Sequence, residues 1–294
     1  MKKCLIIFAI IAVVSSELLT IEQLKNISPL ITGGSPATEG QFPYQAAVIA
    51  MSEREIYICG GTLIKHKWVL TAASCFPTNV SNYLVAFGIN SLIVEPDFYH
   101  NSTSTSNFFI HPDYNAITNV NNIALIKIDD MPANLTDHKN IEYIGLPTEE
   151  EAKTNLTGKD MVISGYGLSQ DNMDLDLILH YTTVKLAPND ACKNFELAGT
   201  RYNVTDSTLC IDTSGGKSPC GDNGGPMTIQ IGSKKVLVGI MGFGTFPCTI
   251  GSPALAESVF HHREWIEKTS GSSVIALSLS IFAAVIMMAV KNLF

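Results

Sequence analysis

The sequence predicts an all-β fold, because short runs of β-branched, aromatic and other apolar residues recur along its middle part and are separated by Gly, Pro, Asn and Ser. The clearest runs are 68–70, 83–87, 124–128, 161–163 and 236–240. One helix is predicted, at 260–268, where Trp265 and Ile266 stand among charged residues. Regularly spaced short strands of this kind are typical of a sandwich or a barrel, and 294 residues suffice for one large β domain or two smaller ones.

The first sixteen residues have the layout of a secretory signal peptide. A basic start at Lys2 and Lys3 is followed by an apolar stretch over 4–14 and by small residues at 15–16. We expect cleavage near Ser16, which leaves 17–30 as a leader or propeptide-like segment ahead of the β-rich region.

Cysteines and glycosylation motifs point to the same oxidising compartment. Seven cysteines are present, and loss of Cys4 with the signal peptide leaves an even number. Composition alone does not decide how they pair. The sequence also has six N-x-S/T motifs, so we expect a glycoprotein; these lie at Asn26, Asn79, Asn101, Asn134, Asn155 and Asn203.

A second apolar segment, 274–290, lies in the tail 269–294 and predicts membrane attachment. As a helix it would span about 26 Å, at the short limit for a bilayer core. The tail is either a GPI signal cut near Ser270–Ser273 or a single transmembrane helix with Lys291 in the cytosol. Its position at the end of the chain favours GPI, whereas the short polar spacer favours the helix, and a buried core helix fits poorly.

The charge pattern excludes nucleic acid as a partner. Nineteen basic residues stand against 27 acidic ones, a net charge of -8, without any basic cluster. No cofactor or metal site is predicted. His261 and His262 are adjacent and would point in different directions on a helix, so we interpret them as solvated side chains.

Four motifs in a fixed order resemble the chymotrypsin–trypsin family of serine proteases. The first is Ile31-Thr32-Gly33-Gly34 with the following 40–45, GQFPYQ. The second is 59–75, CGGTLIKHKWVLTAASC, and the third is 121–126, NNIALI. The fourth is 215–226, GGKSPCGDNGGP, and the resemblance covers about 31–268.

This resemblance implies two packed six-stranded antiparallel β-barrels with a cleft between them, followed by a short C-terminal helix. It also implies a pairing for the cysteines: Cys59 with Cys75, Cys192 with Cys210, and Cys220 with Cys248. Each such bridge contributes about 2 to 4 kcal/mol of stability.

The positions that match the catalytic serine, histidine and aspartate hold Asn223, Ser74 and Asn122. Family chemistry needs a hydroxyl nucleophile, an imidazole that takes its proton and a carboxylate that orients the imidazole. An amide is a poor nucleophile, and neither Ser74 nor Asn122 can replace its counterpart. His66, eight residues before Ser74, is interpreted as a surface residue. The sequence therefore predicts a protein that is not an enzyme.

Two further features of the site follow from the resemblance. The backbone N–H groups of Gly221 and Asn223 would form the oxyanion hole, in a loop one residue shorter than is usual. The side-chain pocket would be lined by Ser218, Gly244 and Ala254 and would favour apolar or small groups, although a vestigial pocket is an equal alternative.

The activation pair of the family is retained as Ile31 and Asp222. Leu30, rather than a basic residue, precedes Ile31, so a trypsin-like activator has no suitable bond to cut. We expect the chain to persist as a single-chain, zymogen-like form.

The predicted function is a secreted, inactive protease homologue that binds peptides or proteins at a cell surface. Its expected partners are extracellular peptides or proteins, including active proteases and their inhibitors. One alternative is a serine-type endopeptidase with residual or altered hydrolysis. Another is a structural surface glycoprotein with a vestigial cleft.

Overall fold

The computed structural model describes residues 31, 33–52, 56–78, 80, 82–102, 104–166, 177–193, 196–197, 200–201, 203–219, 221–243 and 254–271. The predicted signal peptide and leader therefore lie outside the described residues, as does the predicted C-terminal tail after 271. The first residues of that tail, 269–271, are described, and Thr269 ends the C-terminal helix. Within the described ranges, no helix is long and apolar enough to cross a membrane.

The first half of the chain forms one curled antiparallel sheet of seven strands. These strands are β2 (Gln45–Met51), β3 (Ile56–Lys65), β4 (Trp68–Thr71), β5 (Asn82–Phe87), β6 (Phe98–Ser102), β7 (Phe108–Ile110) and β8 (Ala124–Lys127). Their order across the sheet is β6-β5-β2-β3-β4-β8-β7. No ladder between β6 and β7 closes this sheet among the described residues, so it is a curled half-barrel with seven strands instead of the expected six-stranded barrel.

The second half of the chain forms a closed six-stranded barrel. Its strands are β9 (Asp160–Tyr166), β10 (Leu179–Ala187), β13 (Thr208–Asp212), β14 (Pro226–Ile231), β15 (Lys234–Phe243) and β16 (Ala254–Ser258). They follow the order β10-β13-β16-β15-β14-β9, and a further β9–β10 ladder closes the ring. The short β1 (Ser35–Pro36) pairs with β10 at the rim, and β11 (Glu196–Leu197) pairs with β12 (Thr200–Arg201) as a separate hairpin.

Helices are few and short. The described 3₁₀ turns are Ala73–Cys75, Thr105–Asn107, Leu135–Asp137 and Asn189–Cys192. Helix α1 (Glu149–Ala152) begins at a capping box, in which the Thr148 hydroxyl accepts from the Glu151 N–H and the Glu151 carboxylate accepts from the Thr148 N–H.

The C-terminal helix α2 (Arg263–Thr269) begins three residues later than the sequence predicts. Residues 259–262 form a turn instead, in which the His262 N–H reaches the Ser258 carbonyl. The prediction of a terminal helix is confirmed, but periodicity alone placed its start too early because a turn and a helix share the same local spacing.

The larger of two main clusters of buried apolar side chains contains residues of both halves, and the second cluster lies mainly among the strands of the second half. Burial alternates along β10, as expected for a strand with one face toward the barrel interior. The larger cluster contains Phe87, Leu63 and Leu70 of the first sheet and extends to Leu237 and Val259 of the second half of the chain. The two halves therefore pack face to face instead of being joined by a linker alone.

Buried hydrogen bonds also cross the junction between the halves. The Ser164 hydroxyl donates to Gln45 Oε1 at 2.7 Å. The Tyr166 hydroxyl donates to the Ile89 carbonyl at 2.9 Å. Burial raises the pKa of the Tyr166 phenol above its usual range, so this hydroxyl keeps its proton at neutral pH.

Two disulfides implied by the resemblance are present, Cys59–Cys75 and Cys192–Cys210. Cys220 and Cys248, the expected third pair, lie outside the described residues. The Cys59–Cys75 bridge ties β3 to the 3₁₀ turn that follows β4, and this turn carries Ser74.

Candidate functional site

Ser74 lies in the 3₁₀ turn Ala73–Cys75, directly after β4. Its side chain is half-buried, between the fully buried Ala73 and the disulfide-bonded Cys75. The turn is therefore fixed on both sides, and the Ser74 hydroxyl is presented at the junction of the two halves.

Asn122 lies just before β8 and is completely buried. Its Oδ1 accepts from the Ser74 N–H at 2.8 Å. Its Nδ2 donates to Ser74 Oγ at 3.1 Å and to the Gly242 carbonyl at 2.9 Å. Both ends of the amide are thus satisfied, and the residue holds the Ser74 turn as a neutral hydrogen-bonding group.

Asn223 lies in a loop that packs tightly against the first sheet. The Gly60 N–H donates to the Asn223 carbonyl at 2.9 Å, and the Gly224 N–H donates to the Met241 carbonyl at 2.7 Å. Gly224 has φ +80°, and a Cβ there would lie 2.2 Å from Thr71 Oγ1. The loop can approach β3 and β4 this closely because glycines stand at the contacts, and it brings Asn223 to the same junction as Ser74.

The proposed oxyanion-hole groups belong to a tight turn. Gly221 has φ +83°, and the next N–H, that of Asp222, donates to the Pro219 carbonyl at 2.7 Å. The Gly225 N–H in turn donates to the Asp222 carbonyl at 3.0 Å. The shortened loop therefore keeps a defined backbone path through Gly221, Asp222 and Asn223.

The residues matched to the side-chain pocket are only partly described. The Ser218 side chain is buried, and its Oγ has no hydrogen-bond partner among the described residues. Ala254 opens β16 and is completely buried opposite Ile211 of β13. Gly244 lies outside the described residues. An unpartnered buried hydroxyl is available for a ligand or a water molecule.

Ile31 and Asp222, the residues that the resemblance matches to the activation pair, are both buried and lie next to each other. Burial raises the pKa of the Asp222 carboxyl well above its usual range, and the backbone N–H of Ile31 opposes this only in part. Neither carboxylate oxygen has a hydrogen bond of standard geometry within the described part of the chain. Gly165 makes room for the carboxyl, since a Cβ there would lie 1.8 Å from Asp222 Oδ1.

One group of residues behind the site was not anticipated from the sequence. The Glu257 carboxylate on β16 is buried; its Oε1 accepts from the Asn122 N–H at 3.1 Å, and its Oε2 lies 3.0 Å from His262 Nε2. His262 is 3% exposed, so its interpretation as a solvated histidine is wrong, whereas His261 is exposed. The only sequence signal was an acidic residue five positions before a histidine, and this pattern is not specific.

Other predicted site residues lie at the surface. His66 is exposed, as predicted, with Nε2 3.3 Å from the Pro132 carbonyl. The sequon asparagines within the described ranges are all exposed, namely Asn101, Asn134, Asn155 and Asn203; Asn26 and Asn79 lie outside those ranges. Among the residues with described positions, no group of three or more His, Cys, Asp or Glu side chains could hold a metal ion.

The comparisons with known proteins agree with this architecture. The family model described as Trypsin matches residues 31–266. A collagenase of Hypoderma lineatum is 35% identical, with 82% of this chain and 87% of the relative covered. Kallikrein 1-related peptidase b27 of Mus musculus is 32% identical, with 85% of this chain and 93% of the relative covered. A solved structure titled as HL collagenase has a TM-score of 0.69 and 33% identity, covering 81% of this chain and 98% of that one.

These relatives correct the prediction that the chain is not an enzyme. Proteins that match over most of its length are named as a collagenase, a peptidase and a serine protease. The prediction depended on three side chains, Ser74, Asn122 and Asn223, whereas the similarity extends over the whole domain and its loops. The family model, the relatives and the solved structure cover the same two-sheet domain, and the chain therefore belongs to the trypsin family of serine proteases.

Proposed function

We propose that this chain takes extracellular peptides into the cleft between its two halves and acts on them as a serine-type endopeptidase with altered hydrolytic machinery. The observation that carries the proposal is the close packing of the Asn223 loop against β3 and β4. The Gly60–Asn223 hydrogen bond and the glycine contacts keep the peptide-binding junction formed. The relatives named as proteases support hydrolysis as the activity.

The hydrolytic step has to differ from the relay of serine, histidine and aspartate. The side chains at the three matched positions are one hydroxyl and two neutral amides, and none of them takes up a proton near neutral pH. Ser74 Oγ accepts a hydrogen bond from Asn122 Nδ2, so its own proton is free to point elsewhere. We propose that a cleft water attacks the peptide carbonyl directly, or that Ser74 Oγ attacks it and forms an ester that water then hydrolyses. In both cases solvent receives the proton of the nucleophile, and solvent returns a proton to the leaving amine.

Such a mechanism is slow. Removing members of the relay from a protease of this chemistry lowers kcat by a factor on the order of 10⁶. The pocket also restricts the substrates: Ser218 offers a neutral hydroxyl, and Ala254 adds a methyl group to the wall. We propose substrates with a small or apolar side chain at this position.

The test compares the natural chain with a restored variant. Ser74→His, Asn122→Asp and Asn223→Ser together rebuild the relay on the same backbone, and Ser74→Ala removes the hydroxyl. Each protein is assayed with a peptide library and a fluorophosphonate, before and after cleavage of the Leu30–Ile31 bond. We expect slow cleavage by the natural chain, less by Ser74→Ala, and a gain of about 10³-fold or more in the restored variant.

The hydrolytic proposal would be contradicted if the restored variant cleaved the peptides while the natural chain cleaved them no faster than buffer alone. If neither protein cleaves, the shortened loop fails to form an oxyanion hole, which contradicts the proposal as well. Equal rates for the natural chain and Ser74→Ala would leave the cleft water as the nucleophile.

A second candidate function is recognition of peptides or proteins, including proteases and their inhibitors. The neutral, hydrogen-bonded Ser74–Asn122 pair favours it, because neutral groups held in place by hydrogen bonds suit binding as well as turnover. Binding of the same library peptides, measured by calorimetry, separates the functions. Saturable binding without cleavage supports recognition, and no binding at all supports a structural glycoprotein with a vestigial cleft.

We also propose that the protein is secreted, glycosylated and held at a cell surface by its tail. The disulfides and the exposed sequon asparagines support the extracellular assignment. Treatment of expressing cells with a phosphatidylinositol-specific phospholipase tests the anchor, and peptide N-glycosidase tests the glycans. Release by the phospholipase indicates GPI, retention indicates a transmembrane helix, and free protein in the medium contradicts both.

A further inference from the structure

The outer face of strand β6 carries two exposed side chains, Tyr99 and Asn101. Exposure alternates along this strand, so these two residues point to one side of the sheet and their neighbours point to the other. The Tyr99 side chain is a large apolar ring, and the residue is 41% exposed. An aromatic ring and a side-chain amide therefore face solvent together, about 7 Å apart along the strand.

The inner face of β6 packs against the rest of the first half. The Phe98 ring stacks on Phe87, with 6.0 Å between the ring centroids. The His100 side chain is 12% exposed, and its Nδ1 lies 2.5 Å from Asp130 Oδ1. These contacts fix which side of the strand faces inward, and they keep the other side turned to solvent.

Strand β6 lies at the edge of its sheet. Among the described strands it pairs with β5 alone. In that ladder Asn101 stands opposite Leu84 and Tyr99 stands opposite Ala86, and directly opposed residues share one face of a sheet. Leu84 and Ala86 are both buried. An edge strand has a neighbour on one side only, so a further contact on its outer face adds to its stability.

The glycosylation motif Asn101-Ser102-Thr103 differs from the other five in its surroundings. It is the only one with an aromatic residue two positions before the asparagine, where the others have Leu, Pro, Lys or Arg. Among the motif asparagines that the structure describes, Asn101 is also the only one within a β-strand. Asn155, by contrast, lies outside the strands and accepts from the Thr157 N–H at 3.0 Å. One acceptor for a glycan is thus held beside one aromatic ring.

We propose that Asn101 carries an N-glycan whose first sugar packs on the ring of Tyr99. This inference rests on the proposed glycosylation of the chain. An oligosaccharide linked to a lipid diphosphate supplies the sugar: a bond forms between Asn101 Nδ2 and the sugar C1, the bond from C1 to the diphosphate oxygen breaks, and the amide releases one proton. One face of the pyranose ring presents C–H groups, and the negative face of an aromatic ring attracts them.

The first measurement is mass spectrometry of glycopeptides from the full chain, purified from cells that add N-glycans. We expect sugar on Asn101. A chain without sugar at any motif contradicts the proposed glycosylation itself. Sugar at other motifs together with a bare Asn101 contradicts this inference alone and leaves the glycoprotein assignment standing.

The contact with the ring is measured by a double-mutant cycle in melting temperature. Thr103→Ala removes the glycan but keeps Asn101, and Tyr99→Thr removes the ring but keeps a residue that suits a strand. We expect Thr103→Ala to lower Tm by about 2–4 °C in the natural chain and by about 1 °C or less beside Tyr99→Thr. Equal falls in both backgrounds contradict the proposal, because the glycan would then act without the ring.

The matched control is Thr157→Ala, which removes the glycan expected on Asn155, where no aromatic residue stands two positions earlier. Its effect on Tm should be the same with and without Tyr99→Thr, since the two sites share no contact. A change in Tm that depends on Tyr99 at this distant site contradicts a specific contact at Asn101.

A second measurement uses enzymes on the folded, glycosylated chains and does not require Thr103→Ala to fold. An endoglycosidase that leaves one sugar on each asparagine should preserve the difference in Tm between the natural chain and Tyr99→Thr. Peptide N-glycosidase, which also removes the first sugar, should lower Tm by about 2 °C more in the natural chain than in Tyr99→Thr. A difference that already disappears on trimming means that outer sugars make the contact, and it contradicts the proposal.

Discussion

At the scale of single residues, Asn122 shows how one buried side-chain amide can hold a turn in place. Its Oδ1 and Nδ2 bond the Ser74 turn, and its backbone N–H donates to the buried Glu257 carboxylate on β16. The resemblance pointed to Ser74 and Asn122, but the sequence did not indicate the buried carboxylate that lies beside them.

Asp222 gives a prediction about pH. Its folded-state pKa is raised by burial, so the folded protein holds its proton more tightly than the unfolded chain. The free energy of unfolding of the single chain should therefore fall as pH increases from about 4, the unfolded pKa, up through the raised pKa. Asp222→Asn should remove this slope and stabilise the single chain at neutral pH. Urea unfolding of both proteins at several pH values measures this dependence of the free energy of unfolding on pH.

Cleavage of the Leu30–Ile31 bond should reverse this behaviour, because the new Ile31 amine would stabilise the Asp222 carboxylate. In the cleaved protein Asp222→Asn should destabilise at neutral pH. The free energy of unfolding of the natural single chain is compared with that of Asp222→Asn at each pH. A difference that rises between about pH 4 and 7 would contradict the prediction, because it would mean that the folded single chain favours the charged form of the Asp222 carboxyl.

At the scale of elements, the glycine contacts between the Asn223 loop and β3 should be sensitive to single methyl groups. A Cβ at Gly60 would lie 2.5 Å from the Gly225 Cα, a backbone atom that cannot easily move. Gly60→Ala should lower the free energy of unfolding by about 1–3 kcal/mol and displace the loop. Denaturant unfolding measures the loss of stability, and binding of the library peptides measures the effect of the displaced loop.

Gly145→Ala is the control for this change. A Cβ at Gly145 would meet nothing within 4 Å, and its φ is not in the left-handed region. The substitution should be neutral or stabilise slightly, by up to about 1 kcal/mol. Equal losses at Gly60 and Gly145 would mean that the loop packing contributes nothing specific.

At the scale of the whole molecule, the resemblance carried by the four motifs was enough to predict two β units and the two cysteine pairs found among the described residues. Motif order cannot show whether the first sheet closes, because closure depends on hydrogen bonds between β6 and β7, whose sequences carry no signal for each other. The Glu257–His262 pair was missed for a similar reason. Its partners come together only when β16, the turn after it and the segment before β8 pack against one another.

The buried hydrogen bonds between the halves have a mechanical consequence. Gln45 with Ser164, Ile89 with Tyr166 and Asn122 with Glu257 each join a residue of the first half to a residue of the second. Breaking one half open would leave these buried groups of the other half without partners, at a cost of about 1–3 kcal/mol for each group. Neither half can therefore unfold without destabilising the other, so we expect the two halves to unfold as a single cooperative unit.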